Sequence, residues 1–88
     1  MKRILHLTIK KKWFDLIKSG KKKVEYREYK SYWISRLQTK FRMSRWFDEI
    51  HFRNGYQRDS PLLIVEYKGL VVNLRKNRFE IMLGRILN

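Results

Sequence analysis

Apolar positions change period several times along the chain, and each change predicts an element. Residues 3–9 alternate, with Leu5, Leu7 and Ile9 on one side and Ile4, His6 and Thr8 on the other. That alternation predicts a strand over Arg3–Ile9. From Lys11 to Ser19, Trp13, Phe14, Leu16 and Ile17 gather on one side at helical spacing. Gly20 stands where a helix end takes a residue that accepts positive φ. A strand restarts at about Lys22 and runs to Tyr29. It sends Val24 and Tyr26 one way and Glu25 and Arg27 the other. Ser31 reads as the N-cap of a second helix over Tyr32–Lys40. Trp33, Ile34, Leu37 and Phe41 form its apolar face.

The second half is strand-like. Glu49–Arg53 alternates with Ile50 and Phe52 inward, Asn54-Gly55 marks a turn, and Tyr56–Pro61 reads as a loop. Leu62–Tyr67 is a continuous β-rich run, and Gly69 marks a bulge before Leu70, Val71 and Val72. Asn73–Arg78 reads as a polar turn before a last strand, Phe79–Leu87, with Phe79, Ile81 and Leu83 on one side. The order is β-α-β-α followed by strands with short connections, which predicts an α+β chain dominated by a mixed sheet. Closure into a small barrel would remove exposed strand edges. The second strand is expected to pair with the first or with Leu62–Tyr67. No repeat or linker interrupts the chain, so residues 1–88 are expected to form a single domain.

Charge changes this picture most. The chain holds 22 Lys and Arg against 8 Asp and Glu, a net of +14. Residues 1–45 carry 15 of the basic and 3 of the acidic side chains, whereas residues 46–88 carry 7 and 5. This asymmetry points to a polyanion partner. Aromatic residues interleave with the cations and no basic amphipathic helix is predicted, so nucleic acid is favoured over a membrane surface. No apolar run approaches the ~20 residues of a membrane-spanning helix, and the apolar stretch at the N-terminus is too short for a signal peptide. A cytoplasmic protein is expected. The chain has no cysteine, and His6 and His51 have no partner at metal-site spacing, so neither metal nor cofactor is expected. The phosphate-loop and nucleophile-elbow motifs are absent. The sequence leaves the oligomeric state open.

The candidate chemistry centres on Gly20 to Arg27. Glu25 and Arg27 share a strand face beside a lysine-rich turn, a set that offers both donors and an acceptor to a polar ligand. Lys22 has the opposite strand parity, so it joins them only from within the turn. Lys10-Lys11-Lys12 and Lys21-Lys22-Lys23 flank the first helix and supply phosphate contacts without sequence choice; Lys12 is the candidate from the first run. Tyr29 and Tyr56 lie near loops and cations and are candidates for base stacking. Trp13, Phe14 and Trp46 are assigned to packing. Arg53 is a candidate phosphate ligand, and turn chemistry accounts for Asn54-Gly55. Glu66 is expected either as a buried partner of Arg27 or facing water.

Gly20, Lys22, Glu25 and Arg27 also fit the pattern G-x-K-x-x-E-x-R, which resembles the ASCH domain (activating signal cointegrator homology). The run Phe52-Arg53-Asn54-Gly55-Tyr56 resembles small, phage-encoded members. The resemblance covers nearly the whole chain. It implies a small PUA-like mixed β-barrel with two helices, and RNA, other single-stranded nucleic acid or a nucleotide as partner. For a phage-encoded protein the compartment would be the host cytoplasm. Lys12, Gly20, Lys22, Glu25, Arg27, Tyr29, Arg53 and Tyr56 are the expected binding residues.

Some ASCH proteins resemble ribonucleases or amidohydrolases that act on an acylated cytidine. By that likeness Lys22, Glu25 and Glu66 are the catalytic candidates, with Lys22 as nucleophile or base. Glu25 stands where the amidohydrolase type carries threonine, which leaves that carry-over incomplete. A phage protein that binds a host factor is a third class, resting on charge and size.

Overall fold

In the computed structural model, which describes residues 1–88, the elements follow the order β1 (Ile4–Thr8), α1 (Lys11–Lys18), β2 (Val24–Glu28), α2 (Ser31–Leu37), β3 (Glu49–Arg53), β4 (Leu62–Asn73) and β5 (Arg78–Ile86). The strands form one sheet of order β1-β3-β4-β5-β2. The sheet is mixed. β1 runs parallel to β3, and the other neighbours are antiparallel. It curls into a half-barrel which, with the two helices, is consistent with a small α+β PUA-like fold.

The period-2 reading places the core correctly. Leu5, Leu7 and Ile9, Ile50 and Phe52, and Phe79, Ile81 and Leu83 are all buried in one cluster, to which α1 adds Phe14 and Ile17. β4 is longer than its apolar run suggested, because it continues through Gly69, at φ +137°, with register shifts on either side of Tyr67. No helix is long and apolar enough to cross a membrane.

Four expectations are corrected. β2 pairs with β5, not with β1 or β4. A strand has only two edges, and those of β4 are taken by β3 and β5, so β2 adds at the free side of β5, where Glu28 faces Arg78. Second, α2 begins at Ser31 and ends at Leu37, and its N-cap is Lys30, with no side-chain cap. Third, the chain leaves the helix at Gln38, which is extended, because Thr39 offers an alternative: its Oγ1 accepts from the N–H groups of Phe41 and Met43 at 3.3 Å. Arg42, at φ +62°, then turns the chain back so that Gln38 bridges Ser44. Phe41 is therefore exposed. Fourth, Trp13 and Trp46 are exposed as well, and only Phe14 of the three aromatics assigned to packing is buried.

Tyr67 links the core to this loop. Its ring packs edge-on against Phe47 and Trp46, and its hydroxyl donates to the Arg45 carbonyl at 3.2 Å. Burial pushes the Tyr67 phenol up to about 12 from its ordinary 10. The folded protein thus keeps a proton that the unfolded chain releases near pH 10. Stability should be unaffected by Tyr67 below that pH and fall as pH rises towards 12, by on the order of 2–3 kcal/mol. Urea unfolding at stepped pH should record that fall in the native chain. In Tyr67→Phe this component of the alkaline loss should vanish, at a cost near neutral pH of about 1 kcal/mol for the lost hydrogen bond.

Candidate functional site

The site forms where the half-barrel stays open, between edge strands β1 and β2. The turn that leads into it is built first. At the end of α1 the Gly20 N–H donates to the Ile17 carbonyl and the Lys21 N–H to the Leu16 carbonyl, both at 3.0 Å. This pair of bonds is a Schellman cap. It needs the φ of +81° that Gly20 adopts. Gly20 thus shapes the turn and does not line the cavity described below. The Lys22 N–H also donates to Leu16, at 3.0 Å, so Lys22 precedes β2 and escapes strand parity. Its Nζ lies 3.3 Å from Glu25 Oε1.

Glu25 and Arg27 do share a face, and it is the inner one. They stand opposite Ile81 and Phe79 of β5. Arg27 Nη1 donates to Glu25 Oε2 and to the Tyr26 carbonyl, and Nη2 donates across the gap to the Thr8 carbonyl at 3.3 Å. The side chains of Lys22, Glu25 and Arg27 are only 13%, 6% and 16% exposed. Arg27 is therefore largely committed as a strut between β2 and β1. Lys22 is freer, since its one protein acceptor is Glu25.

A cavity of about 620 Å³ opens over this cluster, within the usual size range of small-molecule sites. Trp13, Tyr26, Tyr32, Trp33 and Tyr56 supply aromatic walls, and His6, Thr8, Ile9 and Lys10 line the β1 side. Lys22 Nζ sits over the rings of Tyr26 and Trp13, at 4.8 and 5.1 Å from their centroids. The Arg27 guanidinium lies 5.2 Å from the Trp33 centroid. Two cations share one carboxylate, so the cluster keeps one net positive charge. In surroundings with little water, that charge attracts an anion or a carbonyl oxygen strongly.

The remaining expected residues divide. Tyr56 lines the cavity from the exposed β3–β4 loop. Asn54 Nδ2 holds the loop by donating to the Ile9 carbonyl at 3.1 Å. Lys12 is exposed and lies 4.8 Å from the Trp13 ring centroid, outside the cavity lining. Tyr29 packs on Phe79 and the core instead of facing the site. Arg53 donates to the Ser60 and Arg58 carbonyls, so it braces its own loop. Glu66 is half-buried over Gly84, near Lys68 and Arg85, and has no contact with Arg27.

Trp13, Trp33, Tyr32 and His6 were not selected from sequence. His6 packs edge-on to His51 at 5.3 Å, and His51 Nε2 donates to Glu49 Oε1 at 2.8 Å. That bond, with Lys2 at 3.3 Å, holds Glu49 below the ordinary carboxylate range. His6 and His51 are adjacent only because β1 pairs with β3 in register, a pairing between residues 45 apart.

Glu25→Gln tests the cluster as a structural unit. It leaves Lys22 and Arg27 without their carboxylate, and breaking a buried ion pair from one side costs roughly 3–5 kcal/mol. Urea unfolding at neutral pH should show a loss of that order. A change below about 1 kcal/mol, the value of a surface pair, would mean that the cluster is solvated.

No curated protein and no solved structure gives a match to the chain. Residues 7–37, which run from β1 through α2 and carry every cavity-lining residue except His6 and Tyr56, match the model of the ASCH domain, and over that segment the chain is similar to this family.

Proposed function

We propose that the chain binds RNA, or a nucleotide derived from it, by seating a base in the cavity between β1 and β2. The observation that carries this reading is the buried Lys22–Glu25–Arg27 cluster, with its surplus positive charge, under walls of Trp13, Tyr26 and Trp33. Aromatic faces stack on any unpaired base, and cations beside them meet the carbonyl or phosphate oxygens. ASCH domains are associated with RNA binding or with hydrolase activity, and the matched segment is the one that builds the cavity. Lys22 is the direct ligand contact. Arg27 positions Glu25 and the strand edge.

A hydrolase on the same cavity is the second reading, favoured by His6. That side chain lines the cavity, with its ring edge against His51, which is itself bonded to Glu49, and an imidazole facing a cavity is suited to general acid–base work. Under this reading purified protein cleaves RNA or an acylated cytidine, and His6→Ala abolishes turnover while leaving ligand affinity within about twofold. Binding without any turnover retires it.

Binding is tested with single-stranded RNA across a salt series. Log K should fall against log salt with a slope of about −0.7 per neutralised phosphate. Lys76, in the β4–β5 turn, is the control cation, since it lines no cavity described here. Lys76→Ala should remove at most one phosphate contact. Lys22→Ala should weaken binding by at least tenfold and keep that effect at high salt, in line with the roughly 2–5 kcal/mol lost when a desolvated charged contact is truncated. Circular dichroism and thermal melting check that both variants fold. Equal, salt-sensitive losses at Lys22 and Lys76 would reduce the site to a charged surface.

A further inference from the structure

The base cavity does not end at its lysine. A second hollow of about 260 Å³ adjoins it, and the two share Trp13, Lys22 and Tyr26 as lining. These three side chains are thus the boundary common to both. The turn at Gly20 creates the second hollow. By reversing the chain it sets the end of α1 beside the start of β2, and the Leu16 carbonyl accepts from the N–H groups of Lys21 and Lys22 at 3.0 Å. Leu16 and Val24 then supply apolar lining, and Lys21 and Lys23 supply cations.

The charges of this cleft are uncompensated. No Asp or Glu lines it. Lys21 and Lys23 are exposed and form no ion pair. Lys22 has Glu25 as its only carboxylate partner, at 3.3 Å, and an ammonium has three N–H donors to place. The rings beside it are half-open: Trp13 is 39% and Tyr26 42% exposed. A free base in the cavity would leave Lys21 and Lys23 unmatched. A lone anion would match the lysines and leave the aromatic cavity, Leu16 and Val24 unused. The order of groups along the path is an aromatic cavity, an ammonium between two rings, then an apolar cleft edged by ammoniums. That order follows the sequence base, phosphate, next nucleotide along a single strand.

We propose that the cleft is a second nucleotide position, so that the site takes a strand of at least two nucleotides in preference to a free nucleoside. One base sits in the cavity, the joining phosphate lies at Lys22, and the next nucleotide rests on Leu16 and Val24 with Lys21 and Lys23 at its backbone. This inference rests on the nucleic-acid reading of the cavity and narrows its ligand. An acidic peptide would also suit the lysines, but it has no use for an aromatic cavity across the same wall.

The test is an NMR titration of the ¹⁵N-labelled chain, at fixed ionic strength, with adenosine, adenosine monophosphate and the dinucleotide ApA, and with the uridine series in parallel. The nucleoside should shift Thr8 and Trp33 in the cavity. The dinucleotide should shift these and also the amides of Leu16 and residues 21–24, and should bind about tenfold more tightly, the value of one charge-assisted contact. The diagnostic variant is the double substitution Lys21→Ala with Lys23→Ala. It should weaken dinucleotide binding by about tenfold and leave nucleoside affinity within about twofold. Arg75→Ala with Lys76→Ala removes the same charge from the exposed β4–β5 turn and should change dinucleotide affinity by less than about twofold. Urea unfolding checks that both variants are folded. Dinucleotide shifts confined to the cavity overturn the second position and leave the base reading standing. Shifts over residues 21–24 without any at Thr8 or Trp33 overturn the base reading and the strand path with it. A monophosphate that shifts Leu16 and residues 21–24 as fully as the dinucleotide reduces the cleft to a phosphate contact. Equal losses from the two double variants, or tighter binding of a glutamate-rich peptide than of the dinucleotide, also overturn the proposal.

Discussion

One carboxylate facing two cations decides how this half-barrel ends. β1 and β2 are the edges of the sheet and share no backbone ladder. Side chains close the gap instead. Arg27 reaches from β2 to the Thr8 carbonyl of β1 while Glu25 holds both Arg27 and Lys22. A backbone ladder would bring the strands to about 4.8 Å and leave no space between them. A side-chain strut is longer, so the same contact that joins the edges also holds them apart. The cavity follows from that separation. Burying three charges is expensive, and here the expense has a location: the opening between the two edge strands.

Much of the core was legible in the sequence, because burial on one face writes a period of two or 3.6 into the chain. Leu5, Leu7 and Ile9 could be assigned inward without knowing their neighbours. The shared face of Glu25 and Arg27 was legible for the same reason, as was the turn at Gly20, since a positive φ selects glycine. Strand order was not legible. Nothing in Val24–Glu28 says that its partner is Arg78–Ile86, because the choice depends on which strand edges the other connections leave free.

That missing order explains the errors at the site. Glu66 looked like a partner for Arg27 only while β2 was thought to lie beside β4; β5 stands between them. Arg53 looked available until the loop it braces was known. Trp13 was taken for core because large apolar side chains usually are, yet it belongs to the cavity wall and covers Lys22. The histidines looked isolated because parallel pairing joins distant residues. The residues missed are mostly those whose role depends on the β1–β2 opening, a feature of topology that no local pattern encodes.

The region after α2 shows how a local polar group can redirect a helix and create a surface in doing so. The apolar spacing through Phe41 favours continued helix. Thr39 opposes it by binding two N–H groups beyond itself, and the chain turns back at Arg42. Arg45 is then held from several sides: its N–H donates to Leu37, its Nε to Gln38, and its carbonyl accepts from Tyr67 in the core. Arg45 is therefore held in place, whereas Lys40 and Arg42 stay exposed. Fixing Arg45 costs conformational entropy and sets it near like charges, neither of which helps the fold. The core anchor at Tyr67 offsets that cost within the free protein. The surface around α2 is thus set by the fold itself, with the buried cluster on one side of the helix and the anchored loop on the other.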